Sequence, residues 1–563
     1  MKDEGGRMKD EGGYTASPAK HEAQSTTHET SFTLIELNPG EKPKTTERDA
    51  AIKLGFPQPK LALDTTPATH VLFLDLAEVE EMRQAELAVN QAQKHPGNPL
   101  LPLGDVGSWD ASCASPWAGS VIYDEDSRRF KLWYNGVDYP AGRPESFGAI
   151  GYAESRDGIL WEKPRLGLYE YGGSADNNIV FRPTNAAGVL TSPNHFVVAK
   201  DPREPDPARR YKGWARTEEV CPVYSPDGLH WSVNRIPVPW PCVDPVNLLI
   251  DDADPDPRRR IKVYGDIDCR TPDLMRLGHR HMGFGPDTEH CAPSPANPVI
   301  EPMEGMEHTV HLFAVGRYAG HYVALLNYSL WLDYLGYKGV ERARAGDPRM
   351  TEKTGAFVGD IRLAVNRDGI GKFQRVNAHQ PLIARGEQGQ WDSGSLEATQ
   401  PILVGDTIYL FYTGADFHGG FALPNGLSHG TIGMGLATLR RDGFTNLQTR
   451  DGLTPAQVTT VPVAVRDPER ARLIVNASNL LPYRDWIEVE LLDARDGMPL
   501  PGYTRRDCVK LVRDGIRLAV EWAGRPTLAG IGIPEIKLRF HLFGRAKLYS
   551  FTFGDDTPNQ CCY

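Results

Sequence analysis

Acid–base cleavage of an acetal calls for two carboxyl groups flanking the reacting bond, one protonated to assist the leaving oxygen and one ionised as nucleophile or base. The acids of this sequence placed for such work stand just before, or at the start of, recurrent apolar strands. They are Asp110, Asp244, Glu304 with Glu307, Asp392 and Glu397, accompanied by Asn194, His195 and His308. Asp244, between Val243 and Pro245, and Glu307, ahead of the strand-like Thr309-Val310-His311-Leu312-Phe313, form the favoured catalytic pair. Asp110 and Asp392 each follow a tryptophan, so holding a turn competes evenly with chemistry there. Trp109, Trp391, Trp240 and Trp331 offer flat faces to the C–H side of a sugar ring, whereas Trp133, Trp161 and Trp231 fall within repeated strands and read as packing. Arg280, Arg317 and Arg362 are candidates to meet a uronate carboxylate.

A metal is a weaker reading. On a strand His279 and His281 share a face, while His308 and His311 do not, and hydrogen-bonded histidines are commoner than a zinc site. No cofactor is expected. A structural calcium near the axis, held by Asp and backbone oxygens, is left open, with no sequence signature here.

The elements that must position these residues announce themselves by repetition. Tyr123-Asp124-Glu125-Asp126-Ser127-Arg128-Arg129-Phe130-Lys131 returns as Lys200-Asp201 through Arg209-Arg210-Tyr211-Lys212, and again as Asp252-Ala253-Asp254 through Arg259-Arg260-Ile261-Lys262. Each copy is a strand, an acidic turn and a returning strand. A second marker, a strand ending in Asp-Gly and an aromatic, appears at Asp157-Gly158-Ile159-Leu160-Trp161, Asp227-Gly228-Leu229-His230-Trp231, Asp368-Gly369 through Phe373 and Asp442-Gly443-Phe444, with a degenerate copy at Gly283 to Asp287. The block opening at Trp391-Asp392 repeats the order of the block opening at Trp109-Asp110. Five such units predict an all-β chain with a five-bladed β-propeller over 61–450, whose innermost strands carry the acids to a common axis. After Arg450 the marker disappears and period-two alternation takes over, which predicts a β-sandwich over 451–563.

Bulk composition agrees. The 563 residues exceed one ordinary core, and 45 Pro with 56 Gly suit many short strands and turns. A net charge of −11 offers no field for phosphate backbones, so nucleic acid is excluded as a partner and a neutral or weakly charged ligand, a carbohydrate, fits better. No run reaches the roughly 20 apolar residues of a membrane span. Residues 1–60 are charged and aperiodic, read as a disordered or loosely packed arm, with no hydrophobic core of a secretory signal. Cysteines without C-x-x-C spacing then suggest reduced thiols in a cytoplasmic protein. Leu76 to Lys94 carries a helix-like mix of Ala, Glu and Gln, or an irregular arm. Nothing sets the oligomeric state.

With Trp-Asp opening two blocks and Tyr152-Ala153-Glu154-Ser155-Arg156-Asp157-Gly158 closing a blade, the chain resembles the invertase, levansucrase and arabinanase superfamily of glycoside hydrolases. More closely, it looks like bacterial proteins with a family 32-like N-terminal domain, over roughly residues 70 to 555, including Tyr171-Gly172-Gly173-Ser174-Ala175-Asp176-Asn177-Asn178 and Leu538-Arg539-Phe540. The resemblance implies a propeller with an axial pocket and a two-carboxylate glycosidase mechanism. The family's W-x-N-D-P-N-G block is reduced to Trp109-Asp110-Ala111-Ser112, Lys200-Asp201-Pro202 falls in a hairpin rather than at a strand start, and Glu397 is followed by Ala398 instead of Cys. A non-catalytic sugar-binding propeller and a uronic-acid lyase are the competing functions.

Overall fold

The computed structural model describes residues 63–138, 147–184, 195–217, 219–238, 242–267, 280–301, 309–331, 357–387, 389–415 and 432–554. Nearly every element is a strand. Among the described residues the only helical pieces are single 3-10 turns at Pro207–Arg209 and Pro257–Arg259, both in the acidic Pro-rich turns of the repeated hairpin. In each turn an aspartate, Asp206 or Asp256, caps the backbone amide two residues on, and proline fixes the first helical position. No described helix is long and apolar enough to cross a membrane.

Five antiparallel strand groups follow one another. Group I is Cys113–Asp124, Arg129–Asp138, Phe147–Ser155, Trp161–Glu162 and Ile179–Phe181. Group II is Phe196–Lys200, Tyr211–Arg216, Val220–Ser225 and Ser232–Val233, and group III is Cys242–Ile250, Ile261–Ile267, His281–Gly285 and Ala292–Pro293. Group IV comprises Thr309–Tyr318, His321–Trp331, Phe357–Asn366 and Gln374–Arg375. Group V comprises Ser395–Ala398, Thr407–Ala415 and Ile432–Arg440, with the early strand Gln93–Lys94 as its outer member. Groups IV and V touch through one parallel pairing, Gly359 with Ser395.

Adjacent groups share apolar cores. Trp133 and Tyr152 of I meet Phe196 and Tyr211 of II; Val197 and Trp214 of II meet Leu248 and Val263 of III. Tyr264 of III meets Val315 and Leu326 of IV, Leu363 of IV meets Leu396 and Leu410 of V, and Phe411 and Leu436 of V meet Phe130 and Leu132 of I.

The two sequence markers are the joints between groups. The Trp133 indole donates to the Gly228 carbonyl at 2.7 Å, the Trp214 indole to Thr288 at 3.0 Å, and the Tyr264 hydroxyl to Gly369 at 3.2 Å. In each case an aromatic of one group bonds to the Asp-Gly turn, or its degenerate copy, of the next. Glycine is required at 228: its φ is +84° and a Cβ there would lie 2.7 Å from the Trp133 ring.

The acidic hairpins form ion-pair latches. Asp124 binds Lys131 of its own group at 2.7 Å and Lys200 of the next. Asp201 binds Lys212 at 2.8 Å and, through both oxygens, Arg260 of the next at 2.7 Å. Asp251 binds Lys262 at 2.8 Å and Arg317 of the next at 3.1 Å. Burial alone would raise these three carboxyls, but the adjoining ammonium and guanidinium groups outweigh it and hold all three below the usual range.

Two further six-stranded sheets contribute to one apolar core that includes Leu473, Val489, Trp522, Phe540 and Phe551. Strands from 445–553 build most of them. Four early strands complete them: Leu63–Asp64, His70–Leu72, Val79–Arg83 and Ala85–Val89 pair with Val463–Ala464, Lys547–Phe553, Ala456–Thr460 and Thr445–Thr449. Residues 63–89, grouped with 61–450 from the sequence, thus pair with the C-terminal strands. The helix-like reading of 76–94 is corrected at the same place, since Val79, Met82, Ala85, Ala88 and Val89 are buried as strand residues. Open strand edges and burial there override helix propensity.

Between these early strands and group IV, His321 is 2% exposed, with Nδ1 3.0 Å from the Ala319 carbonyl. Burial, reinforced by the Arg367 guanidinium and by His70 and opposed by Asp75, pushes its pKa down to about 4. With an unfolded value near 6.5, the stability due to neutral His321 is complete above that pH and is lost as the pH falls through 4. The loss between pH 7 and pH 5 should be about 2 kcal/mol. It should be largely absent in His321→Leu, as read from denaturant melts at the two pH values.

Candidate active site

A common level can be traced through all five groups from strand register. Lys131, Lys212 and Lys262 occupy one position in the second strands of I, II and III, and four residues later come Asn135, Arg216 and Asp266. In IV, Tyr322 bonds Asp251 as Tyr211 bonds Asp124, which gives Tyr322 the position that Tyr211 holds in II and brings Asn327 to the same level. In V, Gly394 donates to the Ala415 carbonyl as Ser112 donates to Val137, which brings Thr413 to the place of Asn135.

The first strand of each group, or the residue just before it, supplies the partners. Ser115 lies opposite Asn135, Asp244 opposite Asp266 and Glu397 opposite Thr413, while the Arg216 amide donates to the His195 carbonyl. Outward from Asp266 the next residue at this level is Arg280, one step beyond the Gly265–His281 pair. A polar second-strand residue at equal height in every group, each next to an apolar inter-group core, marks one end of the strand groups as chemically distinct.

Of the sequence candidates, His195, Asp244 and Glu397 are brought to this level. His195 is buried, with Nδ1 3.1 Å from the Pro245 carbonyl and its ring 6.4 Å from that of Trp117. Glu397 is buried on Ser395–Ala398. Asp244 lies in Cys242–Ile250, described by its backbone register. Asn194, Trp240, His279, Glu304, Glu307 and His308 lie outside the described residues.

Asp110 and Asp392 lie in two matching clusters, each packed against the glycine, Gly136 or Gly414, that follows the polar-level residue. Asp110 accepts from the Tyr134 hydroxyl at 2.6 Å and Lys163 at 2.7 Å; Asp392 accepts from Tyr412 at 3.0 Å and Lys94 at 2.5 Å. Trp109 packs against Tyr134 with ring centroids 5.5 Å apart, and Trp391 stacks on Tyr412 at 5.8 Å. Asn178 donates to the Tyr134 hydroxyl and Asn98 to that of Tyr412, at 2.8 and 3.2 Å. Both tyrosine hydroxyls are pushed to higher pKa by burial and then by the aspartate beside them. Each aspartate is neutralised by a lysine and held by a tyrosine, the environment that turn-holding requires, and each Trp has one face against an aromatic neighbour.

Arg317 and Arg362 are likewise occupied. Arg317 serves the Asp251 latch, and Arg362 makes a two-pronged contact with Asp360 at 2.5 and 2.8 Å. Arg280 alone of the three sits at the polar level. Among the described residues no group of three His, Cys, Asp or Glu side chains could hold a metal ion. Ser115, Trp117, Asn135, Arg216, Asp266, Asn327 and Thr413 were not singled out in the sequence. The usable signal was the fourth residue after the repeated lysine, which needs the repeats aligned strand by strand.

No protein-family model matches this chain, and no curated protein does. A glycosyl hydrolase from Bacteroides ovatus is similar to it at 14% identity, over 62% of this chain and 94% of its own, with a TM-score of 0.40. A β-1,2-mannobiose phosphorylase from Listeria innocua is similar at 11% identity, over 62% of this chain and 97% of its own, with a TM-score of 0.39.

Proposed function

We propose that the five strand groups are blades of a closed ring and that the protein is a carbohydrate-active enzyme, a glycoside hydrolase working where the inner strands begin. The observation that carries this reading is the shared register of Asp244 and Asp266 in group III with Glu397 in group V. If the groups stand around an axis, carboxyls from non-adjacent blades face each other across the hub, as acetal hydrolysis requires. Asp244 keeps its place as a catalytic acid, Glu397 is the described candidate for its counterpart, and Glu307 is the counterpart expected from sequence. Asp110 and Asp392 with their lysines hold the blade-entry turns. Trp117 and His195 supply an apolar face and a polar edge for a sugar, and no metal is needed for this chemistry.

One arrangement favours a second reading. The Arg216 amide donates to the His195 carbonyl, which sets on neighbouring strands the two residue types, a base and a cation, that a uronic-acid lyase would use. The test is incubation of the full chain with a panel of oligo- and polysaccharides, with and without inorganic phosphate, read by product mass. Fragments summing to the substrate plus water support hydrolysis. A sum with no addition, with new ultraviolet absorbance, supports the lyase, and a sum including phosphate supports phosphorolysis. Intact glycans throughout would overturn the enzymatic reading.

A further inference from the structure

Two atoms at the polar level lack protein partners among the described residues: Oδ1 of Asn135 and Oγ1 of Thr413. Both side chains are more than nine-tenths buried, at 4% and 7% exposure. The Asn135 amide orientation is fixed by its other end, because Nδ2 donates to the Trp117 carbonyl and a flipped amide would set oxygen against oxygen. Buried hydroxyl and amide oxygens without partners cost stability, so their occurrence at equivalent positions of two groups calls for an explanation.

Their directions follow from strand alternation. Asn135 shares a face with Trp133, which bonds Gly228 of group II, so Asn135 faces the gap between I and II. Thr413 shares a face with Phe411, whose ring lies 5.6 Å from both Phe130 and Trp161 of group I, so Thr413 faces the gap between V and I. The two orphans therefore bracket the opening residues of Cys113–Asp124 from either side, with Ser115 opposite Asn135 and the half-buried Trp117 beyond it.

We propose that Asn135 Oδ1 and Thr413 Oγ1 are hydrogen-bonding points for hydroxyl groups of one sugar ring seated over the start of Cys113–Asp124. A ligand hydroxyl donates to Asn135 Oδ1, and a second exchanges a hydrogen bond with Thr413 Oγ1. This rests on the reading that the hub accepts carbohydrate, but requires binding only, not turnover. The chemical class is a neutral polyol ring, since neither partner carries charge.

The test uses the full chain, Thr413→Val and Thr413→Ser. Melting temperatures are measured alone and with a panel of free monosaccharides and their methyl glycosides, and Kd is determined for any sugar that shifts the wild type. Valine keeps the shape and removes the orphan hydroxyl, so Thr413→Val alone should melt at or above the wild-type temperature, while its Kd rises about tenfold. Thr413→Ser should retain wild-type affinity, and Asn135→Leu should lose it. A Thr413→Val variant that melts several degrees lower would show that the hydroxyl has an internal partner and overturn the proposal. So would unchanged sugar affinity in Thr413→Val, or a wild type that no sugar shifts. Sugar binding without turnover would instead sink the enzymatic reading and leave this site standing.

Discussion

Asp244→Asn is expected to lower kcat on the glycan identified by the screen by roughly 10²–10⁴-fold, the range for losing a general acid or base, with the melting temperature nearly unchanged. The substitution is isosteric, and in strand register Asp244 lies opposite Asp266, at the level where every group carries a polar residue. Glu397→Gln should behave similarly if Glu397 is the counterpart, and Glu307→Gln if that residue is; comparing their pH profiles separates acid from base. Asp110→Asn and Asp392→Asn should do the reverse. Each strips the negative partner from Lys163 or Lys94 and so costs roughly 1–3 kcal/mol of stability. If Asp244→Asn and Glu307→Gln both keep full activity, the acids assigned to the proposed hub do not perform the chemistry. Full stability in Asp110→Asn would remove the turn-holding role.

Lys262→Met should destabilise the fold by about 3–5 kcal/mol, the usual consequence of leaving one side of a buried ion pair alone. Lys262 is fully buried, and its ammonium holds Asp251 and Asp254 at 2.8 Å each, while Asp251 also anchors Arg317 of the next group and accepts from Tyr322. Without the lysine two carboxylates share a desolvated site, and the joint between groups III and IV opens first. Adding Asp251→Asn should restore part of the loss, because one buried carboxylate, Asp254 beside Arg259, then remains where two had been crowded together. Equal stability of Lys262→Met and wild type in urea at neutral pH would refute the latch.

The same geometry gives the sign of acid lability. Asp124, Asp201 and Asp251 have folded values depressed below an unfolded value near 4, so their contribution is complete above that value and is lost as the pH falls through the folded ones. His321 acts earlier, between neutrality and pH 4, so acid unfolding should show two separable contributions.

Much of this architecture is visible in residue order because it is local. A hairpin needs its turn chemistry within a dozen residues, so Asp201-Pro202 through Tyr211-Lys212 betrays a strand pair, and Asp227-Gly228 marks a turn that only glycine can take. The latch and the aromatic-to-turn bond were not legible as contacts, although their residues were. Knowing that Lys200 meets Asp124 requires knowing which strands become neighbours, a matter of packing between groups rather than of any one stretch. The matched Trp-Asp clusters were legible as a repeat, but the lysines and tyrosines that neutralise them come from other strands.

Residue order alone fixed the all-β character, the recurrence of strand groups and the short set of acids worth weighing, since strand period, turn residues and repeat length are properties of neighbouring positions. Folding in three dimensions settled the rest. It sent residues 63–89 to the C-terminal sheets, set His195, Asp244 and Glu397 at one height with Asn135 and Thr413, and closed lysines onto Asp110 and Asp392. The reason is that register and burial are set by partners hundreds of residues away, and a carboxylate becomes a reagent or a brace according to which charge is buried beside it.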